Sequence, residues 1–291
     1  MSRWFFYGTL RDDALRAVVL GRNVACELAV LQGWQVVNAR EETFPVLMPD
    51  HHGTADGVIV YGLTSSEEAR LAFYEEPFGY EMHDLTVSGA KARLYMPPPQ
   101  AFKPGQTWDF AAWLASEGAL TIETAKDYMA AFGNNPADKA ARHYEMIVQR
   151  AASRLRAKAT PLKDTERTGA GTIDASSERL PYLGYFAVRE TSLQFQRFNG
   201  EMSNTIHRSG FMMGDAVTVL PYDPKRDRVM VVEQFRYGPY LRGDHNPWTL
   251  EPIAGRIDPG ETPEQAARRE AVEEAHLTLG RLILVAQYYP S

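Results

Sequence analysis

The stretch GRIDPGETPEQAARREAVEEAHL, residues 255–277, constrains this chain more than any other. Thr262 is a good N-cap, Pro263 suits the first helical position, and Gln265 completes the capping-box spacing, so a helix starts here. Ala267, Ala271 and Ala275 fall four apart and make a small-residue face that can lie close to a sheet. Glu270, Glu273 and Glu274 share another face, because helix positions three and four apart are neighbours. Like charges at that spacing cost roughly a few tenths of a kcal/mol per pair. A divalent cation removes the conflict, and hard Mg²⁺ prefers oxygen ligands and substrate phosphates. The plainer alternative is a solvated acidic face that holds no metal.

At 291 residues the chain is long enough for two domains, and 44% hydrophobic with 23% charged residues describes a globular protein. A formal net charge of -6 offers no general attraction to nucleic acid or anionic lipid, so an anionic substrate needs a local device. The single cysteine, Cys26, excludes an internal disulfide and reads as a buried apolar side chain. No apolar run reaches the ~18 residues of a membrane span, and the opening, broken at Tyr7-Gly8-Thr9, does not read as a signal peptide. A cytoplasmic location is the expectation.

Along the chain, an apolar strand over residues 4–7 stops at Gly8-Thr9, and a helix over 12–20 ends at Gly21. Short strands are expected at 27–31, 35–38 and 57–63, with Gly33, Pro45, Pro49 and the cluster Asp50-His51-His52-Gly53 as turns. Ser65 is placed to cap a helix over 67–74, and 85–87 with 92–95 read as a hairpin closed off by Pro97-Pro98-Pro99. Residues 107–158 carry helical spacing broken at Gly133-Asn134-Asn135-Pro136. Residues 160–179 are polar and Gly-, Ser- and Thr-rich, which reads as a linker. Strands return at 184–189, 192–198, 216–220 and 229–233, with a turn at Tyr222-Asp223-Pro224, and a last apolar strand at 282–288 looks buried on both faces.

Residues 255–277 resemble the Nudix box, G-x5-E-x7-R-E-U-x-E-E-x-G-U with U aliphatic. Gly255, Glu261, Arg269, Glu270, Glu273 and Glu274 match its fixed positions. With each type at roughly 7% of residues, six such matches arise by chance in about one chain in 10⁴ or fewer. Ala271 takes an aliphatic place, and His276 stands where glycine is usual, so His276 is expected to adopt the positive φ of a helix end. The runs GYFAVRETSLQFQRFNGEMS, VLPYDPKRDRVMVVEQFR and PWTLEPIAG narrow the resemblance to the ADP-ribose pyrophosphatase group, over residues 180–291. That resemblance implies metal ligands at the Ala254 carbonyl, Glu270 and Glu274, an assisting Glu273, and Arg269 as the group that positions the glutamates. It implies Mg²⁺, or Mn²⁺ in its place. Tyr185 and Phe186 match aromatics that stack on adenine, often across a homodimer, and Arg208 and Arg236 match arginines that engage the nucleotide. The family continues past the equivalent of Tyr288-Tyr289-Pro290-Ser291 through further strands, a glutamate-bearing loop and a last helix. A Nudix fold cut there is expected to be poorly soluble or oligomeric and to lack hydrolase activity.

Near the start, Tyr7-Gly8-Thr9-Leu10, LQGW at 31–34, FPVLMPD at 44–50, GVIVYGL at 57–63 and FYEEPFGY at 73–80 together resemble the γ-glutamylcyclotransferase-like family, also called AIG2-like. The resemblance covers residues 3–97 and implies a small β-barrel with flanking helices. It implies that the turn of Tyr7, Gly8, Thr9 and Leu10 offers backbone N–H groups to the substrate. It also implies that Glu75 takes the proton from the substrate's α-ammonium, so that its amine closes 5-oxoproline. Glu76 stands where glycine is usual and Ala72 replaces an aspartate, so the alternative is a barrel retained as a scaffold.

The expected architecture is an α+β and α/β two-domain chain. A cyclotransferase-like barrel occupies residues 1–99, a helical connector 100–165, and a Nudix α/β/α sandwich, incomplete at its C-terminus, 166–291. The expected activity is Mg²⁺-dependent hydrolysis of ADP-ribose to AMP and ribose 5-phosphate. The alternatives are another nucleoside diphosphate sugar as substrate, or a nucleotide sensor that does not hydrolyse. Fused bacterial proteins of this arrangement have been associated with tellurite resistance.

Overall fold

The computed structural model describes residues 2–161 and 172–289 and divides into two compact units, Met1–Met213 and Gly214–Ser291. The first unit opens with β1 (Arg3–Phe6), α1 (Asp13–Leu20), β2 (Glu27–Ala39), β3 (Pro45–Tyr61), α2 (Ser65–Glu75), β4 (Glu81–Val87), β5 (Ala90–Met96) and β6 (Pro104–Thr107). These strands form one six-stranded sheet in the order β4-β5-β1-β3-β2-β6. Edge strands β4 and β6 are not paired with each other, so the expected barrel is an open sheet.

Strand β1 is central, and successive side chains of a strand point to opposite faces. Trp4 and Phe6 therefore enter a core with Leu15, Val19, Leu71 and Tyr128, while Phe5 and Tyr7 enter a second with Leu31, Ile59 and Leu94. Arginine side chains tie helices to their neighbours: Arg70 of α2 donates to the carbonyls of Val18 and Val19 at the end of α1. Gly21 ends α1 at φ 89°, as expected for a helix-terminal glycine.

Two local expectations change. Asp50-His51-His52-Gly53 does not turn the chain: it lies inside β3, opposite Gly33, where the β2–β3 register slips between Gln32 and Trp34. The same residue types that break a strand into a turn also make a bulge, and the long ladder on either side carries the strand through. The cap of α2 is Thr64 rather than Ser65, with a full capping box to Glu67.

Helices α3 (Phe110–Trp113), α4 (Ala119–Met129), α5 (Ala137–Ala141) and α6 (Tyr144–Ala159) follow, with the break between α4 and α5 where Gly133 to Pro136 had placed it. A π-helical turn over Leu114–Gly118 joins α3 to α4. Then β7 (Ile173–Leu183), β8 (Ala187–Phe195) and β9 (Ile206–Met212) form a three-stranded antiparallel sheet. The linker expected at 160–179 is thus a strand from Ile173 on, and residues 162–171 lie outside the described residues. Its polar composition misled because β7 is largely exposed and held by backbone pairing to β8 rather than by burial. The strands expected at 184–189 and 192–198 merge into β8.

The second unit contains β10 (Ala216–Val219), β11 (Tyr222–Asp223), β12 (Arg228–Val229), β13 (Val232–Phe235), α7 (Tyr237–Arg242), β14 (Trp248–Glu251), β15 (Ile253–Arg256) and α8 (Pro263–Ala275). Its strands form three separate two-stranded ladders, β10-β15, β11-β12 and β13-β14, in place of the single sheet of the expected sandwich. Helix α8 packs on β15 and β10, with Ala267 and Ala271 of the expected face buried, Ala275 only half-buried, and Ala266 buried as well. Residues 282–288 form no strand. Ile283, Leu284, Val285 and Tyr288 are exposed, and among the described residues no strand runs beside them to take up their backbone groups.

Candidate active sites

The first unit holds a partly open cavity of about 500 Å³. One wall is the turn Tyr7-Gly8-Thr9-Leu10, which leaves β1 and closes through hydrogen bonds from the Arg11 N–H to the Gly8 carbonyl and from the Asp12 N–H to the Thr9 carbonyl, both 3.1 Å. Gly8 is required by close approach, since a Cβ there would come within 2.8 Å of Cγ of Pro45. Behind the turn lies Arg16, 1% exposed, whose guanidinium donates to the carbonyls of Leu10 and Arg11 at 3.0 Å each. Glu75, at the end of α2, lines the same cavity with Tyr74, Tyr80 and Tyr95. Burial pushes its carboxyl up to about 8. Burial raises the hydroxyls of Tyr7 and Tyr80, helped at Tyr7 by Tyr80 and then Glu75 and at Tyr80 by Glu75. Glu76, its neighbour, accepts a 3.0 Å hydrogen bond from the Tyr95 hydroxyl. The sequence-derived turn and Glu75 therefore meet in one cavity.

In the second unit, the capping box of α8 forms as the sequence requires: the Gln265 N–H donates to Oγ1 of Thr262, and the Thr262 N–H donates to the Gln265 side chain. Arg269 then gathers the acidic groups. It donates to Glu261 at 2.9 and 3.0 Å, to Glu270 at 2.7 Å, to Glu273 at 3.1 Å and to the Arg256 carbonyl at 2.9 Å. The hydrogen bond from Arg269 holds Glu261 below the usual carboxylate range, and Arg269 is itself raised, most by Glu261. Glu270 lies flat on Gly255, where any Cβ would overlap its carboxylate. Glu274 accepts from the Ala254 N–H at 3.2 Å and from the Gln234 side chain at 2.9 Å. His276 ends the helix at φ 53°, ψ 35°, in the left-handed region expected of it.

Residues 212–291 match the family model described as NUDIX domain, and residues 4–114 match that described as Gamma-glutamyl cyclotransferase, AIG2-like. This chain joins an AIG2-like domain to a NUDIX domain. An ADP-ribose pyrophosphatase of Escherichia coli (strain K12) is 37% identical over 123 residues, 42% of this chain and 58% of the relative. A GDP-mannose pyrophosphatase of Salmonella paratyphi B is 29% identical over 120 residues, 41% of this chain and 62% of the relative. The chain thus spans less than two thirds of the length of these curated relatives. A solution structure from Arabidopsis thaliana, 25% identical, covers 46% of this chain and 95% of that one at a TM-score of 0.33.

Within the NUDIX domain, Glu270 lies against Gly255 and Glu274 accepts from the Ala254 N–H, so the three positions expected to bind metal are neighbours. Their oxygens suit a hard divalent cation, which is commonly held by one or two carboxylates with substrate phosphates and water completing the set. Among the described residues no group of three His, Cys, Asp or Glu side chains could by itself hold a metal ion. Arg236 is engaged by Glu251, with Nε donating to Oε2 at 3.0 Å. Tyr185, Phe186 and Arg208 belong to the first unit. Phe186 packs between Tyr182 and Phe211 with ring centroids at 4.7 Å in both pairs, Tyr185 is 59% exposed, and Arg208 is exposed on β9. Sequence reasoning missed Gln234, the partner of Glu274, and Arg16. Gln234 sits in the VVEQFR run, yet 40 residues separate it from Glu274 and only the fold joins them. Among the described residues no helix is long and apolar enough to cross a membrane.

Proposed function

We propose that the NUDIX domain hydrolyses the diphosphate of ADP-ribose to AMP and ribose 5-phosphate with Mg²⁺. The observation that supports this most is the placement of Glu270 and Glu274 against the Ala254–Gly255 backbone, with Arg269 holding the flanking carboxylates. A cation bound there would neutralise the diphosphate and make its attack by water easier. Arg269 keeps the Glu261, Glu270 and Glu273 carboxylates in fixed relation, and Gln234 with the Ala254 N–H fixes the rotamer of Glu274. Gly255 leaves room for the Glu270 carboxylate to lie on the backbone. Likeness to the E. coli ADP-ribose pyrophosphatase favours ADP-ribose, and likeness to the GDP-mannose pyrophosphatase makes another nucleoside diphosphate sugar the second reading. AMP release from ADP-ribose and GMP release from GDP-mannose, measured side by side in the full-length protein with Mg²⁺, separate the two. Release from neither leaves a nucleotide sensor.

For the AIG2-like domain, we infer a cyclotransferase that closes 5-oxoproline from a γ-glutamyl compound. The cavity shared by the Gly8–Leu10 turn and Glu75 carries this reading against the scaffold alternative. Glu75 accepts a proton from the α-ammonium, and the turn offers backbone N–H groups to the glutamyl oxygens. Release of 5-oxoproline from γ-glutamyl dipeptides and γ-glutamyl amides tests it. A wild-type protein that releases none across that panel returns the domain to a scaffold.

A further inference from the structure

The cavity of the AIG2-like domain offers a substrate no side-chain cation. Among the described residues no lysine, arginine or histidine lines it, and its charged lining side chains are Glu42 and Glu75. Ring closure nevertheless gathers negative charge on one atom. When the α-amine nitrogen attacks the γ-carbonyl carbon, the carbonyl oxygen becomes an oxyanion. It stays one until the C–N bond to the leaving amine breaks and the proton taken by Glu75 passes to the departing nitrogen. Fixed donors around such an oxygen are usually the largest single contribution to catalysis of acyl transfer.

The turn after β1 carries donors of this kind, and the buried arginine behind it is connected to them. Thr9 and Leu10 line the cavity, and among the described residues their N–H groups have no hydrogen-bond partner. Nη1 of Arg16 donates to the Leu10 carbonyl at 3.0 Å. That carbonyl shares a peptide group with the Arg11 N–H, which donates to the Gly8 carbonyl at 3.1 Å. The Gly8 carbonyl in turn shares a peptide group with the Thr9 N–H. The same Nη1 donates to the Arg11 carbonyl at 3.0 Å. The peptide group of that carbonyl carries the Asp12 N–H, which donates to the Thr9 carbonyl at 3.1 Å, and the Thr9 carbonyl shares its peptide group with the Leu10 N–H. Two chains of hydrogen-bonded peptide groups thus lead from one guanidinium nitrogen to the two unpartnered amides. A trans peptide holds its C=O and N–H antiparallel, so a cation at the oxygen makes the N–H a stronger donor, and each bond in such a chain polarises the next.

Arg16 is buried, so little water screens its charge. Nη2 faces the exposed Asp13 carboxylate and donates to Sγ of Cys26 at 3.2 Å, while among the described residues Nε has no partner. Burying a cation costs more than burying a neutral donor, which favours a use for the charge beyond tying down the turn. We propose that Arg16 is a positioning residue of this site, whose charge, carried through the two peptide chains, strengthens the Thr9 and Leu10 N–H groups as donors to the oxyanion. The proposal rests on the cyclotransferase reading and adds the source of its electrostatic stabilisation.

The experiment uses the full-length protein and reads 5-oxoproline from γ-glutamylalanine or γ-glutamylmethylamide, whichever the wild type turns over faster. Amide resonances of the turn are followed in parallel by NMR. Arg16→Met keeps the bulk and removes the charge, so kcat is expected to fall about tenfold with KM held within about twofold. The Thr9 and Leu10 amide protons should move upfield, while that of Gly8, which lies on neither chain, stays in place. Arg16→Met also leaves two carbonyls without their donor, so Asp13→Asn supplies a check that does not depend on its folding. Removing that exposed counter-charge should move the same two amide protons downfield and raise kcat about twofold, the scale of an exposed charge pair. No 5-oxoproline from the wild type, with both amides moving as stated, would remove the cyclotransferase reading and keep the polarised donor pair. Thr9 and Leu10 resonances unmoved by Asp13→Asn, or an Arg16→Met loss that falls on KM with kcat kept, would overturn the proposal.

Discussion

Glu75 is the single residue whose surroundings most alter its ordinary chemistry. Its carboxyl is pushed from 4.5 up to about 8 by burial, so the folded protein favours the neutral form. Stability from that preference is fully present below the unfolded value near 4.5 and is lost as pH rises through about 8. Glu75→Gln keeps a neutral side chain at every pH. Thermal unfolding is therefore expected to show the variant more stable than wild type at pH about 9, by up to a few kcal/mol, and equal to it at pH about 4. A wild-type protein whose pH dependence matches the variant's would show that Glu75 is not desolvated. As a base Glu75 must be ionised, so 5-oxoproline release should rise with pH through about 8, and Glu75→Gln should abolish it. Gly255 makes a second residue-scale case. Its side of β15 is occupied by the Glu270 carboxylate, so Gly255→Ala must displace that group. Mn²⁺ titration should show at least about tenfold weaker binding in Gly255→Ala, and unchanged binding would detach Glu270 from the metal. Glu75, Gly8 and Gly255 were readable in the sequence because each sits in a short local pattern. Gln234 and Tyr144 were not, because strand pairing and helix docking bring them in from distant segments.

At the scale of elements, α8 shows how much a short sequence can dictate. Thr262, Pro263 and Gln265 set its start, the alanines set the face it buries, and His276 sets its end. All of these act within a turn or two of the chain, which is why they were legible. Thr262→Ala should cost about 1 kcal/mol of stability by removing the cap. His276→Gly should add roughly 0.5–1 kcal/mol by relieving the left-handed backbone. Chemical denaturation of the two variants checks both, and a destabilised glycine variant would mean that the imidazole makes a contact worth more than the strain. Strand β7 and the bulge at 50–53 were misread for a common reason. Both owe their conformation to a ladder partner, β8 for one and β2 for the other, and neither their polarity nor their turn residues carry that information. The stretch 282–288 erred in the opposite direction, since apolar residues make a strand only where a neighbour accepts their backbone hydrogen bonds.

For the whole molecule, the two matched family regions fall at opposite ends of the chain, residues 4–114 and 212–291, and each carries its own acidic group in its own setting. Glu75 lies in an aromatic cavity that raises its proton affinity, whereas Glu274 accepts from a side-chain amide and a backbone N–H beside an arginine-held cluster. The two settings suit different work, proton transfer in one and cation and phosphate binding in the other. On the functions proposed above, one chain carries two chemistries resting on two separate carboxylates. The most direct test is a crossed assay of the full-length protein with Mg²⁺, given ADP-ribose and a γ-glutamyl amide together and read for AMP and 5-oxoproline. Glu274→Gln should lose AMP release and keep 5-oxoproline release, and Glu75→Gln should do the reverse. Full AMP release by Glu274→Gln, full 5-oxoproline release by Glu75→Gln, or the loss of both products in either variant would contradict the account.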